Sequence, residues 1–225
     1  GGSIKKAGIY DEAVKILKEE DIEIFELSGI APNPKIESVR EGVKLCKEND
    51  IDMVLAIGGG SVIDCAKVVA AGACYDGDPW DLVITPRWIK KALPIYSVLT
   101  LSATGSEMDP FAVISDMSKN EKWGTASEHM KPKMSILDPE YTYSVSKKQT
   151  AAGTADMISH ICENYFTNVK NADVQARFAE GLLKNCFKYG PIALEEPDNY
   201  DARANLMWTA SMAINGILSD GAEVS

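Results

Sequence analysis

Three groups of residues in this sequence could do chemistry. Gly58-Gly59-Gly60-Ser61 follows the apolar run Met53-Val54-Leu55-Ala56-Ile57 and opens a helical pattern. Glycine lets a backbone approach a ligand closely, and a helix start offers free N–H groups and the positive end of a dipole. The turn therefore suits a pyrophosphate, or else it is a tight strand-to-helix connection that binds nothing. It departs from the G-x-G-x-x-G fingerprint, because Ile63 stands where the third glycine belongs, and no Gly-Lys-Ser/Thr follows as in a P-loop. The second group is Leu99-Thr100-Leu101-Ser102-Ala103-Thr104-Gly105-Ser106-Glu107, rich in hydroxyls and placed directly after a strand pattern. Open α/β sheets bind ligands at the carboxyl ends of their strands. This loop is either a holder for a nicotinamide or ribose, or an ordinary polar loop. Met108 replaces the glycine that would make a G-x-S-x-G nucleophile elbow. The third group is Asp156 with His160, spaced i, i+4, so a helix puts both on one face. An oxygen and a nitrogen so placed supply half of a divalent metal site, or simply a side-chain pair.

The elements that must position these groups follow from periodicity. Tyr10 to Glu20 reads as a helix with Asp11 as its N-cap. Ile22 to Leu27 alternates apolar and acidic residues, which predicts a strand with one solvated face. Ala31-Pro32-Asn33-Pro34 is a turn, and Ile36 to Asn49 an amphipathic helix with Val39, Val43 and Cys46 on one face. The run ending at Ile57 predicts a strand buried on both faces, and Ser61 to Ala71 is helical. Pro94 to Leu99 and Phe111 to Ser115 predict further strands. From about Lys147 every pattern is helical: Lys147 to Asn168, Asp173 to Tyr189 and Asp201 to Leu218, with Pro191 and Pro197 punctuating the last two. The order predicts an α/β, Rossmann-like parallel sheet with right-handed crossovers over residues 1–145, then an all-helical domain over 146–225. The chain opens without a strand and closes just after a helix. The expectation is therefore a longer native chain, or a partner that completes the fold.

The 225 residues are enough to bury a substantial core. Apolar residues make up 45% and charged residues 25%, which excludes a disordered or low-complexity chain. The net charge of −10 repels phosphate backbones, and the basic pairs are scattered, so no nucleic-acid partner is expected. The longest small-apolar stretch, Val68 to Cys74, is too short to span a membrane, and no signal-peptide pattern opens the chain. Five widely spaced cysteines without a C-x-x-C pair predict reduced, buried thiols in a cytoplasmic protein.

Several longer strings occur here in one order: Ala56-Ile57-Gly58-Gly59-Gly60-Ser61-Val62-Ile63-Asp64-Cys65-Ala66-Lys67, then Thr104-Gly105-Ser106-Glu107, then Ala152-Gly153-Thr154-Ala155-Asp156-Met157-Ile158-Ser159-His160. Gly29-Ile30-Ala31-Pro32-Asn33-Pro34 and Leu137-Asp138-Pro139 accompany them. Along essentially its whole length the chain resembles the iron-containing (group III) alcohol dehydrogenase family. Within it, the similarity is greatest to NADPH-dependent butanol dehydrogenases and broad aldehyde reductases. Dehydroquinate synthase and glycerol dehydrogenase share that architecture and are the alternatives of like fold. A catalytically inactive nucleotide-binding fragment is a further alternative.

The resemblance implies roles residue by residue. Gly58, Gly59, Gly60, Ser61 and Asp64 surround the pyrophosphate and the nearby nicotinamide half. Thr100 and Thr104 line the cofactor, and Lys122 reaches its ribose. Gly1-Gly2-Ser3-Ile4-Lys5-Lys6 matches the loop after the family's first strand, so Gly1, Gly2 and Ser3 also belong to the cofactor site. NAD-preferring relatives tend to carry an acidic residue in that loop, and Ser3 can instead hydrogen-bond a 2′-phosphate, which favours NADP(H) over NAD(H). Asp156 and His160 match the first two ligands of one divalent metal, Fe²⁺ or Zn²⁺, and would carry the catalysis. The family's ligand set is one aspartate and three histidines, and the remaining two belong to a segment beyond Ser225. The implied substrates are short aliphatic alcohols and aldehydes such as butanol and butanal, and the implied assembly is a homo-oligomer, a dimer or larger.

Overall fold

Residues 2–219 of the chain are described by a computed structural model. The chain divides into two compact units: Gly1–Val98 with Pro110–Ile136, and Leu99–Asp109 with Leu137–Ser225. It passes between them three times, so the hydroxyl-rich segment Leu99–Asp109 groups with the helices of the second unit.

In the first unit, Gly2–Lys6 forms a short helix, α1, and Ile9–Glu19 forms α2. The resemblance gave a loop over residues 1–6; here Gly1 lies outside the described residues, as does the side chain of Ser3. Helix α2 is not capped by Asp11. Its N-cap is Gly8, in the left-handed region at φ 77°, and Asp11 sits in the first turn. A carboxylate there still favours the dipole, which is why the sequence pattern resembles a cap. Ile36–Glu48 forms α3, with Ile36, Val39, Val43 and Cys46 buried. The apolar run becomes strand β1, Val54–Gly58, and the glycines lead into α4, Gly60–Ala73. Most of α4 is buried, as its near-continuous apolar sequence requires. Asp78 then caps α5, Pro79–Ile84, by accepting from the Trp80 N–H at 2.8 Å. Its carboxyl lies below the usual range: burial raises it, but Arg40 bonding both oxygens, at 2.8 and 3.2 Å, outweighs that.

Strand β2, Ile95–Leu99, runs beside β1, and the three-stranded sheet has the order β1-β2-β5, where β5 is Met134–Ile136. β2 and β5 are parallel, with Ser97 opposite Ser135 and their hydroxyls 2.7 Å apart. Between them the chain makes an antiparallel hairpin, β3 (Phe111–Asp116) and β4 (Glu121–Ala126), with Ile114 opposite Trp123. The core of this unit gathers Ile36, Val39, Val68, Leu82, Ile95 and Ile114.

The expected strand at 22–27 carries no regular secondary structure and joins no sheet. Among the described residues, 23–30 make no backbone hydrogen bond to any other backbone group. Alternation favours an extended backbone, but a strand exists only where a second edge is within reach.

In the second unit α6 is Lys147–Tyr165, capped by Ser146, α7 is Asp173–Glu195, and α8 is Tyr200–Ile214, capped by Asn199. Met157, Ile161, Cys186, Leu206 and Ala210 form its core. Pro191 does not end a helix as expected; it lies inside α7. Pro191 and Phe187, whose carbonyl loses its helical donor, are both exposed, so the lost bond is not lost inside the core. No helix among the described residues is long and apolar enough to cross a membrane. All five cysteines are free: Cys46, Cys65 and Cys186 are buried and Cys162 is half-buried, whereas Cys74 is exposed, against the expectation of buried thiols throughout.

Candidate functional site

In the first unit the glycines do what their sequence position suggests. Gly59 is the N-cap of α4 with an extended backbone, and no side chain caps this end. Val62 and Ile63 both turn their N–H groups back to the Gly59 carbonyl, at 3.0 and 3.2 Å. Gly60 and Ser61 are the first helical residues, whose N–H groups have no acceptor inside a helix. A Cβ on Gly58 would stand 2.6 Å from Val62 Cγ2, so the chain can fold back this tightly only at glycine. Bare N–H groups at a helix start form an anion cradle, and a pyrophosphate fits it.

Asp64 lies one turn further along α4. Its carboxylate accepts from the Val113 N–H of β3 at 3.0 Å. Lys67, on the same face and fully buried, donates from Nζ to the Phe111 carbonyl at 2.7 Å. Together they clamp the first residues of β3 to the helix that begins at the glycine turn. The sequence gives a hint of Lys67, an i, i+3 partner of Asp64, but its acceptor is a backbone carbonyl and leaves no mark in the sequence. Lys122, on β4, donates to Asn33 Oδ1 at 2.9 Å. Asn33 holds φ 53° in the turn after Gly29, so Lys122 ties that turn to the hairpin. Gly58, Gly59, Gly60, Ser61, Asp64 and Lys122 therefore all lie in this unit.

In the second unit the hydroxyl-rich loop is held by helices on two sides. A Cβ on Gly153 of α6 would meet the Ser102 carbonyl at 2.6 Å. Gly105, at φ 66°, would meet the Ala210 carbonyl of α8 at 2.6 Å, so both contacts require glycine. Glu107, 3% exposed, accepts from Ser211 Oγ at 2.5 Å. Thr104 Oγ1 accepts from the Ser106 N–H at 3.2 Å, while Thr100 stands half-buried at the start of the loop.

Asp156 and His160 share one face of α6, as the spacing predicts. His160 Nε2 lies 4.0 Å from Asp156 Oδ1. The other imidazole nitrogen, Nδ1, is buried and has no hydrogen-bond partner. A carboxylate and an imidazole held this way fit a divalent cation as two of its ligands. Structural and catalytic sites take four or more. Among the described residues no group of three or more His, Cys, Asp and Glu side chains is placed to hold a metal.

Comparison with known proteins identifies the fold. Residues 1–139 match the iron-containing alcohol dehydrogenase family. The chain belongs to that family. It is 61% identical, over 98% of its length, to NADH-dependent butanol dehydrogenase A of Clostridium acetobutylicum, of which it covers 57%. It is 45% identical, over 98% of its length, to the NADPH-dependent aldehyde reductase YqhD of Escherichia coli, again covering 57%. The crystal structure of NADH-dependent butanol dehydrogenase A of Thermotoga maritima matches with a TM-score of 0.94 at 47% identity, over 97% of this chain and 55% of that one. The chain thus spans a little over half the length of the relatives it matches.

Proposed function

We propose that this chain is the nucleotide-binding part and the opening of the metal-binding part of an alcohol dehydrogenase or aldehyde reductase. Its substrates are short aliphatic alcohols and aldehydes such as butanol and butanal. The observation that carries the reading is the uncapped start of α4 behind the Gly58-Gly59-Gly60 turn, in a family of alcohol dehydrogenases. Gly60 and Ser61 present N–H groups to the dinucleotide's pyrophosphate. Asp64 and Lys67 keep the turn's helix and the hairpin in register, and Lys122 steadies the turn at Asn33. Thr100 and Thr104 offer hydroxyls from a loop whose backbone Gly153 and Gly105 fix.

Asp156 and His160 contribute two donors to a site for Fe²⁺ or Zn²⁺. Such an ion, when bound, polarises a carbonyl oxygen and stabilises developing alkoxide charge. A bound nicotinamide cofactor supplies or accepts the hydride, and the protein's share is positioning and electrostatics. The finer reading is that NADP(H) is preferred, because in Gly1-Gly2-Ser3-Ile4-Lys5-Lys6 Ser3 can hydrogen-bond a 2′-phosphate that an acidic residue would repel. The relatives' names divide on this point, NADH for the butanol dehydrogenase and NADPH for YqhD. A homo-oligomer working in the cytoplasm completes the proposal.

The experiment has two stages. Binding of NADPH and of NADH to the 225-residue chain is followed by quenching of its tryptophans. Oxidation of NADPH and NADH with butanal is then followed after metal removal and after resupply of Zn²⁺ or Fe²⁺. Saturable dinucleotide binding, tighter for NADPH, and turnover restored by metal are the expected results. Absence of any dinucleotide binding would overturn the reading. A second reading, a module that binds nucleotide without turnover, is favoured by the two donors of α6 where a divalent ion takes four or more; it predicts binding with no metal-restored oxidation.

A further inference from the structure

Two methionine sulfurs of the second unit converge on one side-chain amide. Met108 closes the single helical turn Ser106–Met108 at the end of the hydroxyl-rich loop, and Met212 lies in the last turn of α8. Asn215, the C-cap of α8, donates from Nδ2 to Met108 Sδ at 3.3 Å and to Met212 Sδ at 3.4 Å. Its Oδ1 accepts from the Ile217 N–H at 3.1 Å. The carboxamide is thus fully engaged, with one hydrogen for each sulfur. Thioether sulfur is a weak acceptor, so both hydrogens are held by partners that an oxygen would displace. All three side chains are half-buried, which leaves the sulfurs partly open to small solutes.

We propose that Met108 and Met212 form a site of oxidation by hydroperoxides, and that sulfoxide formation there lifts the hydroxyl-rich loop from the end of α8 and weakens dinucleotide binding. The last effect rests on the proposed role of Thr100 and Thr104 at the cofactor. The sulfur lone pair attacks one oxygen of the hydroperoxide, and the S–O bond forms as the O–O bond breaks. The proton of the transferred hydroxyl passes to the departing oxygen, which leaves as water or an alcohol. The thioether loses two electrons and the hydroperoxide gains them. The Asn215 N–H groups stand beside the sulfurs and donate to the peroxide oxygens as negative charge builds there. Methionine sulfoxide reductases reverse the change, so the site is a reversible one.

The contact between loop and helix has no slack to absorb the new oxygen. A Cβ on Gly105 would stand 2.4 Å from Ile214 Cγ2 and 2.6 Å from the Ala210 carbonyl, so the loop backbone lies directly on the last turns of α8. Between that point and Met108, Glu107 accepts from Ser211 Oγ at 2.5 Å. A sulfoxide oxygen bonded to the Asn215 amide at about 2.9 Å needs nitrogen and sulfur roughly half an ångström further apart. Turned the other way, it leaves the amide N–H against a sulfur that now carries positive charge. Either orientation undoes the pairing that closes the loop on α8.

The test treats the 225-residue chain with hydrogen peroxide and maps the added oxygen by peptide mass spectrometry. Met117 and Met134, both more than half exposed, report simple access, and buried Met130, Met157 and Met207 report unfolding. The expected result is oxidation of Met108 and Met212 at least as fast as of Met117 and Met134. Asn215→Asp removes both donors and keeps the acceptor for the Ile217 N–H; it should slow Met108 and Met212 by at least about threefold and leave Met117 and Met134 unchanged. In the oxidised chain, hydrogen exchange over 103–109 should quicken by at least about tenfold, and affinity for NADPH should fall. The double variant Met108→Leu with Met212→Leu should show neither change after the same treatment. Met108 and Met212 left reduced while Met117 and Met134 oxidise would overturn the site, as would equal rates in Asn215→Asp. Quickened exchange in the double variant would assign the effect to other methionines and overturn it too. An untreated chain that binds no NADPH would overturn the cofactor reading, and with it the effect on binding; the mapping and the exchange judge the oxidation site independently of that.

Discussion

The ammonium of Lys67, fully buried in α4, donates to the backbone carbonyl of Phe111, the first residue of β3, at 2.7 Å. The helix that begins at the glycine turn thus holds the start of the hairpin. Lys67→Met keeps the length of the side chain and removes the donor. Urea unfolding of this variant is expected to show a loss of about 0.5–1.5 kcal/mol, the net worth of one hydrogen bond. A loss below about 0.5 kcal/mol would mean that the clamp is dispensable.

Gly153→Ala probes the contact between α6 and the hydroxyl-rich loop. The new methyl group would stand 2.6 Å from the Ser102 carbonyl, and backbone cannot yield as a flexible side chain can. The expected cost is about 1–3 kcal/mol, despite alanine being the better helix former by about 1 kcal/mol. An unchanged or raised melting temperature would show that the loop and the helix do not touch as described.

Ser61→Asp separates stability from ligand binding. An acid in the first turn of α4 interacts favourably with the helix dipole, by about 0.3–1 kcal/mol. The same carboxylate would face the phosphates of a dinucleotide. The variant should therefore melt at the same temperature or higher while its affinity for NADPH, measured by fluorescence titration, falls at least about tenfold. Unchanged affinity would remove the α4 start from the nucleotide site.

Burial pushes the Cys65 thiol from its ordinary value of 9.0 up to about 12. The folded state then keeps a proton that the unfolded state gives up. Above pH 9 the unfolded chain binds fewer protons, so stability falls with rising pH, and the contribution is complete below pH 9 and spent near pH 12. The slope from this one thiol is at most about 1.4 kcal/mol per pH unit. Cys65→Ala should flatten the alkaline limb of a stability-versus-pH curve, and an identical curve would show that other groups set it. At pH 8, a thiol reagent should label exposed Cys74 first and reach Cys65 only on unfolding.

What was legible in the sequence was local. Helices α3, α4 and α6 follow from apolar spacing, and the turn at Gly58 from three consecutive glycines. Asp156 and His160 meet on one face because i, i+4 spacing settles that without tertiary information. What escaped depends on partners distant in sequence. Residues 22–27 alternate as a strand does, yet pairing needs an edge that alternation cannot supply. The carboxylate of Asp64 finds the N–H of Val113, and Lys67 finds a carbonyl, and neither acceptor nor donor has a side-chain signature. Strand β4 escaped because Glu121-Lys122-Trp123-Gly124 is polar and exposed, so its pattern is that of a loop. Pro191 was misread because a proline on the solvent side of a long helix costs less than one facing the core.

The interleaving of the two units has a consequence for synthesis on the ribosome. Strand β2 must wait for β5, which follows it by some 35 residues, before its second edge is covered. During that interval the whole Leu99–Asp109 segment, which belongs to the other unit, has already emerged. The three-stranded sheet therefore closes only after Ile136 has left the exit tunnel, and the nascent chain carries an open parallel edge until then. Pairing this distant is slow and leaves apolar edges available to other chains. A product stalled or shortened before Met134 would leave the edge of β2 open, and self-association would begin there.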